Sequence, residues 1–321
     1  MRAVYATSLA PDDPLAGLEI GDLPDTEAPA NGWEKITLKA SALNHHDLFS
    51  LKGILDKEDL PMVLGCDGAG VDAAGNEVII HPVIASPGWR GDETLDPTRT
   101  VLSERHPGTM SDHVWVPAGS TVPKPAELSW EEAACLPTSW LTAYRMLFSV
   151  SPAQPGSTIL IQGAGGGVST ALTAMAAATG FRVWVTSRSR EKQVHALTLG
   201  ADQVFDPGTR LPKRVDAVFD SVGQATWDHT LKSVRPGGAV ITCGATSGSS
   251  AVTELNRVFF TQLKILGSTM GTRDELDRLT GFLVGTGIRP TIDSVLPLNH
   301  AAQGFSKMLG GNLMGKIVFT H

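Results

Sequence analysis

The sequence has few cysteines, no long apolar run and no long basic run, and each absence excludes a class of protein. Its three cysteines are scattered over 321 residues without the spacing of a disulfide framework or a metal site, which favours a reducing cytoplasm. We find no pattern typical of a signal peptide or a transmembrane helix, so we expect a cytoplasmic protein with no membrane partner. A net charge of −7 without a basic cluster argues against a nucleic-acid partner.

The stretch Ser157–Val168 organises the chain. Its sequence, STILIQGAGGGV, is typical of a buried strand, a glycine-rich turn and the start of a helix. We expect that helix over about residues 168–179, with its free N–H groups and positive dipole end facing the glycines. This predicts a pyrophosphate site whose candidates are Gly165, Gly166, Gly167 and Val168.

The glycine turn departs from the strict G-x-G-x-x-G motif. Aligned on Ala164–Ser169, small residues replace its two outer glycines, so a turn without a ligand stays open as an alternative. Residues 181–187 read as a second strand one helix later, which completes the strand–helix–strand unit that the dinucleotide motif requires.

The end of that second strand predicts which dinucleotide is bound. NAD-specific sites carry an acidic residue there, whereas this chain has Ser187-Arg-Ser-Arg-Glu-Lys192. Arg188 and Lys192 can pair with the 2′-phosphate of NADP, with Ser187 donating a hydrogen bond. The alternative is a solvated first turn of a helix.

The length predicts about two domains. The first third has short alternating strands and many turns, which suits a barrel-like domain. Residues 86–108 are polar and aperiodic, so we expect a surface lobe or loop. Further on, Ser129 and Glu132 form a capping box.

Motifs along nearly the whole chain resemble the medium-chain dehydrogenase/reductase superfamily, and within it the zinc-lacking quinone-oxidoreductase-like branch. The order and spacing of these motifs carry the resemblance. They are the glycine turn, Leu43-Asn-His-His-Asp47, Leu64-Gly-Cys-Asp-Gly-Ala-Gly70, Glu132-Ala-Ala-Cys-Leu-Pro137, Leu141-Thr-Ala-Tyr144, Glu191-Lys192, Leu199-Gly-Ala-Asp202, Asp220-Ser-Val-Gly223, Arg235-Pro-Gly-Gly238 and Gly315-Lys-Ile-Val-Phe319.

The resemblance implies an α/β fold with a Rossmann doubly wound parallel sheet and a barrel-like (GroES-like) β-rich catalytic domain. Residues 1–121 and 288–321 would form the discontinuous catalytic domain, and residues 122–287 the dinucleotide-binding domain. Strand-like runs at 216–222, 239–244 and 264–270 fit the continuation of a parallel sheet. The last run reads as an apolar sheet edge, and with the resemblance it predicts a homodimer.

The resemblance also allows a test for metal. Zinc-dependent members hold a catalytic ion at three positions, which here carry Asn44, Cys66 and Thr138. One thiol does not make a zinc site, which needs three protein ligands and a water. We therefore predict no metal.

Without a metal, the resemblance implies an NADPH-dependent reductase that transfers hydride to a quinone, enone or other conjugated carbonyl of a small molecule. Asn44 is the catalytic candidate beside nicotinamide and substrate, although a helix-cap role is open. Thr142 is a candidate partner of the nicotinamide amide, or a helical threonine that bonds its own backbone. His45 and His46 titrate near neutral pH, but whether either takes part in catalysis stays open.

The remaining cofactor candidates are Gly223, Gly244, Ala245 and Lys316, which lie in motifs of the resemblance or in the loop after a predicted strand; a plain loop at 243–248 is the alternative. Two other functions also remain: a relative of zinc-type alcohol dehydrogenases, and an NADPH-binding redox sensor with little turnover.

Overall fold

The computed structural model describes residues 1–321. Its strands are β1 (Arg2–Ala6), β2 (Leu18–Asp22), β3 (Trp33–Ala42), β4 (Met62–Val63), β5 (Asp67–Val71), β6 (Glu77–Ile80), β7 (Val83–Ile84), β8 (Thr100–Val101), β9 (His113–Pro117), β10 (Thr121–Pro123), β11 (Thr158–Gln162), β12 (Arg182–Thr186), β13 (Gln203–Phe205), β14 (Val215–Asp220), β15 (Val234–Thr242), β16 (Lys264–Gly267), β17 (Ile292–Pro297) and β18 (Lys316–Thr320).

The α-helices are α1 (His45–Phe49), α2 (Trp130–Ala134), α3 (Leu141–Tyr144), α4 (Gly167–Ala178), α5 (Arg190–Thr198), α6 (Trp227–Ser233), α7 (Leu255–Phe260), α8 (Arg273–Thr286) and α9 (Ala301–Leu309). Wider π turns occupy Ser50–Ile54, Leu136–Trp140 and Arg145–Val150, and 3-10 turns occupy Pro14–Gly17, Lys57–Asp59, Glu93–Leu95 and Leu298–His300. None of these helices combines the length and the apolar character needed to cross a bilayer.

The chain divides into two compact units. The first comprises Met1–Leu141, Met270–Gly285 and Ile292–His321, and the second comprises Thr142–Thr269 and Thr286–Thr291. Residues 122–141 thus join the first unit, because α2 packs against β3 and β5 of that unit. These limits differ from the domain boundaries at 121/122 and 287/288 that the resemblance implies.

The second unit contains a six-stranded parallel sheet in the order β13-β12-β11-β14-β15-β16. This order is that of a doubly wound dinucleotide-binding sheet, in which the strand order reverses beside the first strand, here β11. Helix α4 packs on β11 and β12, α5 on β12 and β13, and α6 on β14 and β15. The Rossmann part of the predicted fold is confirmed.

Buried polar side chains fix the carboxyl ends of β11, β12 and β14. Gln162 accepts a hydrogen bond from Thr186 Oγ1 at 2.7 Å and donates to His229 Nδ1 and Thr230 Oγ1 at 3.0 Å. Thr230 in turn donates to Asp220 Oδ2 at 2.6 Å. Because a buried polar group without a partner is costly, this chain of bonds holds the three strand ends in register.

The first unit is β-rich. Its largest sheet runs β10-β6-β5-β3-β18-β17, with β9 also paired to β3, and a smaller sheet runs β2-β1-β4. One apolar cluster, which includes Leu43, Leu64, Phe305 and Phe319, packs beside the smaller sheet, and a second fills the interior of the larger one. This β-rich unit confirms the predicted barrel-like, GroES-like domain.

Residues 86–108 form an ordered lobe. The carboxylate of Asp96 accepts hydrogen bonds from the backbone N–H and the hydroxyl of Ser86 and from the same two groups of Thr98. These bonds, those from the Ser86 side chain first, hold the pKa of Asp96 well below its usual range. Hydrogen bonds to the ionised carboxylate of Asp96 therefore hold together a lobe that has little secondary structure.

Helix limits follow the sequence pattern closely. The helix expected over residues 168–179 is α4. Asn44 precedes α1, which continues into a π turn that contains Gly53, whose φ is +125°. The capping box is confirmed: Ser129 Oγ accepts from Glu132 N–H, and the Glu132 carboxylate accepts from Ser129 N–H.

Candidate functional site

Asn44 lies between β3 and α1, at the residue that caps the helix, yet its side chain makes no capping hydrogen bond. Asp47 instead bonds back to the N–H of Asn44, at 2.8 Å. The side chain of Asn44 is 6% exposed, and its Nδ2 donates to the carbonyl of Ala42 over a long 3.3 Å. The N–H of Asp47 bonds the backbone carbonyl of Asn44 at 3.1 Å, so the amide side chain remains available for another role.

Lys316, the first residue of β18, places a buried ammonium beside Asn44. Its Nζ donates to Asn44 Oδ1 at 2.6 Å, to Asp67 Oδ2 at 2.8 Å and to the carbonyl of Leu43 at 2.8 Å. An ammonium has three donors, so these three acceptors use all of them. Lys316, predicted to bind the cofactor, therefore has no donor left for a ligand and would influence one through the residues that it contacts.

Asp47 connects the start of α1 to the corner before β5. Besides the N–H of Asn44, its carboxylate accepts from the N–H of Gly65 at 3.0 Å, and the residue is fully buried. Burial raises the pKa of Asp47 to about 6, opposed by His46 and by the backbone hydrogen bond from Asn44. Both carboxylate oxygens are committed to the backbone.

His46 lies between a thiol and a carboxylate. Its Nδ1 is 3.3 Å from Cys66 Sγ, and its Nε2 is 3.1 Å from Glu104 Oε1. Cys66 also bonds the carbonyl of Leu102 at 3.2 Å. Both ring nitrogens of His46 are thus engaged within the protein, which leaves neither free for a substrate.

The charge of His46 follows from these neighbours. Interaction with Cys66, the largest cause, and the hydrogen bonds with Cys66 and Glu104 raise the pKa of His46 above its ordinary value, against the effect of burial. Burial also raises the pKa of Cys66, so the thiol is neutral at pH 7, and Glu104 is then the charged partner of His46. Partial burial opposes ionisation of Glu104, but the bonds from His46 and Val101 outweigh it and lower its pKa.

The residues at the zinc positions of the superfamily do not form a ligand set. Asn44 Oδ1 already faces the ammonium of Lys316, which would repel a cation there. The structure brings together a different trio, His46, Asp47 and Cys66, whose donor atoms lie within 4.8 Å of one another. Because the Asp47 oxygens bond the backbone, a thiol and an imidazole remain, fewer than the three ligands that zinc requires.

The glycine turn lies at the carboxyl end of β11, where the pattern predicts it. Gly163 has a φ of +85°, and Gly166 precedes the first residue of α4. Ser169 Oγ accepts from the N–H of Gly166 at 3.1 Å, so the serine that replaces the last motif glycine closes the turn. Of the pyrophosphate candidates, Gly165 is buried, and Gly166, Gly167 and Val168 are half-buried at the helix start.

The residues predicted to read the adenosine end lie together at the end of β12. Ser187 is buried and accepts from the N–H of Ser189, Arg188 is exposed, and Lys192 lies in the first turn of α5. The sequence argument missed Asp206. Gln193 Nε2 donates both to the carbonyl of Ser187 at 2.8 Å and to Asp206 Oδ1 at 2.9 Å, so a carboxylate does lie beside this strand end.

The loops after β14 and β15 lie against each other. A Cβ on Gly223, whose φ is +86°, would come within 2.9 Å of Ala245 Cα, and one on Gly244 would come within 3.2 Å of the Ser221 carbonyl. The candidates Gly223, Gly244 and Ala245 therefore form one surface at the carboxyl edge of the sheet, where doubly wound folds bind ligands. Thr142, in α3, is buried.

A parallel sheet in this order, with a glycine turn leading into α4, defines the class of proteins with a Rossmann-type dinucleotide-binding fold. Comparison with known proteins agrees. Residues 167–285 match the family model described as zinc-binding dehydrogenase, a match that does not include Asn44, Cys66 or Thr138. A solved structure of an NAD-dependent alcohol dehydrogenase is 33% identical, with a TM-score of 0.92 and all of both chains covered.

Two curated relatives extend the comparison. Acryloyl-coenzyme A reductase of Metallosphaera sedula is 27% identical, over 95% of this chain and 96% of its own length. Crotonyl-CoA reductase of Streptomyces collinus is 25% identical, over 91% of this chain and 78% of its own length. The chain belongs to the medium-chain dehydrogenase/reductase superfamily and is an oxidoreductase, which confirms the resemblance to the superfamily; its zinc-lacking, quinone-oxidoreductase-like branch stays a prediction.

The pair of His46 and Glu104 predicts a pH-dependent stability. A histidine whose pKa is raised by folding stabilises fully below its unfolded pKa of about 6.5, and the contribution is lost as pH rises through its higher folded pKa. We expect Glu104→Gln to lower the free energy of unfolding by about 1–2 kcal/mol at pH 6 and by less at pH 9, measured by urea unfolding.

The exposed Glu127 supplies the control, because Glu127→Gln changes a carboxylate away from this pair. Equal losses for Glu104→Gln at pH 6 and pH 9 would contradict the prediction.

Proposed function

We propose that the protein reduces a conjugated carbonyl compound, an enone, a quinone or a related thioester, with NADPH and without a metal ion. The observation that carries this proposal is the cluster around Asn44, in which a buried amide is held against the ammonium of Lys316 where zinc-dependent relatives have a metal ligand. The names of the two curated relatives support the substrate class, since crotonyl and acryloyl thioesters have a C=C bond conjugated to a carbonyl.

The residues have a simple task in such a reaction. NADPH, when bound, supplies a hydride to the β-carbon of the substrate, and the electron pair of the C=C bond moves toward the carbonyl oxygen. That oxygen gains negative charge and needs a hydrogen-bond donor. Asn44 Nδ2 carries two hydrogens and has one long bond, to Ala42, so one N–H is left for this purpose. Solvent then donates a proton to the α-carbon.

The geometry of the histidines narrows the choice of proton donor. His46 is held between Cys66 and Glu104 and has no free ring nitrogen. Loss of hydration, with the charges of Lys316 and Lys52, lowers the pKa of His45, which leaves that ring neutral at pH 7. We therefore assign the proton to solvent and a structural role to His46.

A turnover assay tests this function. With NADPH, we expect the C=C bond of small enones or of crotonyl-CoA to be reduced and the carbonyl to be retained. NADPH absorbance measures the rate, and product analysis identifies the reduced bond. The rate should be unchanged after prolonged incubation with a chelator, because the carboxylate of the His46, Asp47 and Cys66 trio is already bonded to the backbone N–H groups of Asn44 and Gly65. Oxidation of alcohols that stops on chelation and returns with zinc would establish the zinc-dependent alternative. NADPH binding without turnover would favour the redox sensor.

We further propose that NADPH is preferred to NADH. The cations Arg188 and Lys192 lie four residues apart, just before α5 and in its first turn, beyond the end of β12 where the 2′-phosphate of NADP would be bound. Asp206 opposes this preference, because a carboxylate at this place can accept from a free ribose hydroxyl. An NAD-dependent enzyme is among the similar structures, so the two charges have to be tested separately.

Arg188→Ala should weaken NADPH binding roughly tenfold to a hundredfold and leave NADH nearly unchanged, since one charge-assisted hydrogen bond contributes about 1.5–3 kcal/mol. Fluorescence titration at two salt concentrations measures this, and the difference should shrink at high salt. Arg182→Ala is the control, because Arg182 is exposed at the opposite end of the same strand. Equal affinity of the parent for both cofactors, with weaker NADH binding in Asp206→Asn, would assign NAD instead.

The apolar edge of the second unit supports the proposed homodimer. Strand β16 ends its sheet, and the neighbouring α7 exposes Phe260 by 77% and Leu255 by 69%. An unpaired edge beside exposed aromatic side chains is stabilised by a second copy. We expect a dimer by light scattering at micromolar concentration and a monomer for the double variant Phe260→Ser/Ile265→Lys. The control is Val194→Ser, on the exposed face of α5, and a monomeric parent would refute the proposal.

A further inference from the structure

The buried ammonium of Lys316 determines how the amide of Asn44 is oriented. An ammonium can only donate, so the atom 2.6 Å from Nζ must be the amide oxygen. The amide nitrogen therefore points away from Lys316, and its one protein acceptor is the Ala42 carbonyl, at a long 3.3 Å. The start of α1 does not compete for the Asn44 amide oxygen, because the N–H of Asp47 bonds the backbone carbonyl of Asn44 at 3.1 Å.

The same contact changes the electronic character of the amide. A positive charge on the oxygen side of an amide withdraws electron density from its nitrogen and makes the N–H groups stronger donors. The surroundings enhance this effect, since Lys316 is 3% exposed and Asn44 6% exposed, and water does not screen the charge. No metal ligand set is needed for such polarisation.

Asp67 balances the charge without removing the effect. Its Oδ2 accepts from Lys316 Nζ at 2.8 Å, and the residue is fully buried. Its other oxygen has no hydrogen-bond partner. The carboxylate therefore neutralises the ammonium on one side, and Asn44 occupies another of the three donor directions.

We propose that Lys316 is a positioning residue that acts through Asn44: it orients the amide and strengthens its N–H as a donor to the substrate carbonyl oxygen. This inference rests on the proposed reduction of a conjugated carbonyl. In that reaction the oxygen becomes more negative in the transition state than in the bound substrate, so a stronger donor raises kcat more than it lowers KM.

The double variant Lys316→Met/Asp67→Asn tests the proposal. Methionine keeps the length of the side chain without its charge, and asparagine avoids leaving a buried carboxylate unpaired. We expect kcat for an enone such as cyclohexenone to fall about tenfold, with KM changed less than threefold. Lys124→Met is the matched control, because Lys124 is a lysine whose side chain is 6% exposed and which pairs with Glu77 away from this cluster.

A second measurement does not depend on turnover. The side-chain amide resonance of Asn44, identified by its absence in Asn44→Ala, is recorded by ¹⁵N NMR. We expect the Nδ2 signals of the parent to lie downfield of ordinary asparagine signals and to return to the ordinary range in the double variant. Lys124→Met should leave them in place.

The outcomes separate the two proposals. An unshifted Asn44 signal in the parent, or equal kcat in the parent and the folded double variant, overturns the role of Lys316. A shifted signal in a parent that reduces no conjugated carbonyl leaves the polarised amide established and overturns the proposed function, and with it the donation to a substrate oxygen. Equal changes of kcat and KM in the double variant and the control would assign Lys316 a structural role only.

Discussion

One buried cation, the ammonium of Lys316, connects the strands of the first unit that carry the candidate site. Lys316 lies at the start of β18, and its acceptors come from the end of β3 and the start of β5, the two strands that follow β18 across the sheet. Removing one partner of a buried ion pair costs about 3–5 kcal/mol, because the other charge is left without compensation. The same bonds that stabilise the sheet therefore restrict Asn44 to one orientation, and stability and the placing of the site cannot be changed independently.

The second unit uses neutral and charged hydrogen bonds for a comparable purpose. Asp220 accepts from Thr230 and from the backbone N–H groups of Val222 and Gly223, which shapes the loop after β14. Gln162 extends the network to β12 through Thr186. In both units the groups that would meet a ligand lie just beyond strands whose ends are fixed by buried polar bonds. Such support is what a preorganised site requires, since a loop alone would allow its donors to move.

Local signals in the sequence predicted the fold well and the site only in part. The glycine turn and the Ser129 capping box depend on neighbouring residues, and both are found where the pattern places them. The bond between Asn44 and Lys316 joins residues 272 positions apart, so no local pattern reveals it. Asp206 was missed for the same reason, because β13 brings it beside the end of β12. Glu104 lay in a segment expected to be a lobe, where nothing in the sequence marked it as a partner of His46.

The place of β18 in the chain has a consequence for synthesis. The whole parallel sheet of the second unit lies within residues 142–269, so it can fold as soon as that segment has left the ribosome. The sheet of the first unit has β18 between β3 and β17, and its N-terminal strands must wait for a strand that is made only after the whole second unit. Until then the carboxylate of Asp67 has no counterion and the edge of β3 is unpaired. The nascent first unit is thus the part of this protein that most needs protection by chaperones while translation continues.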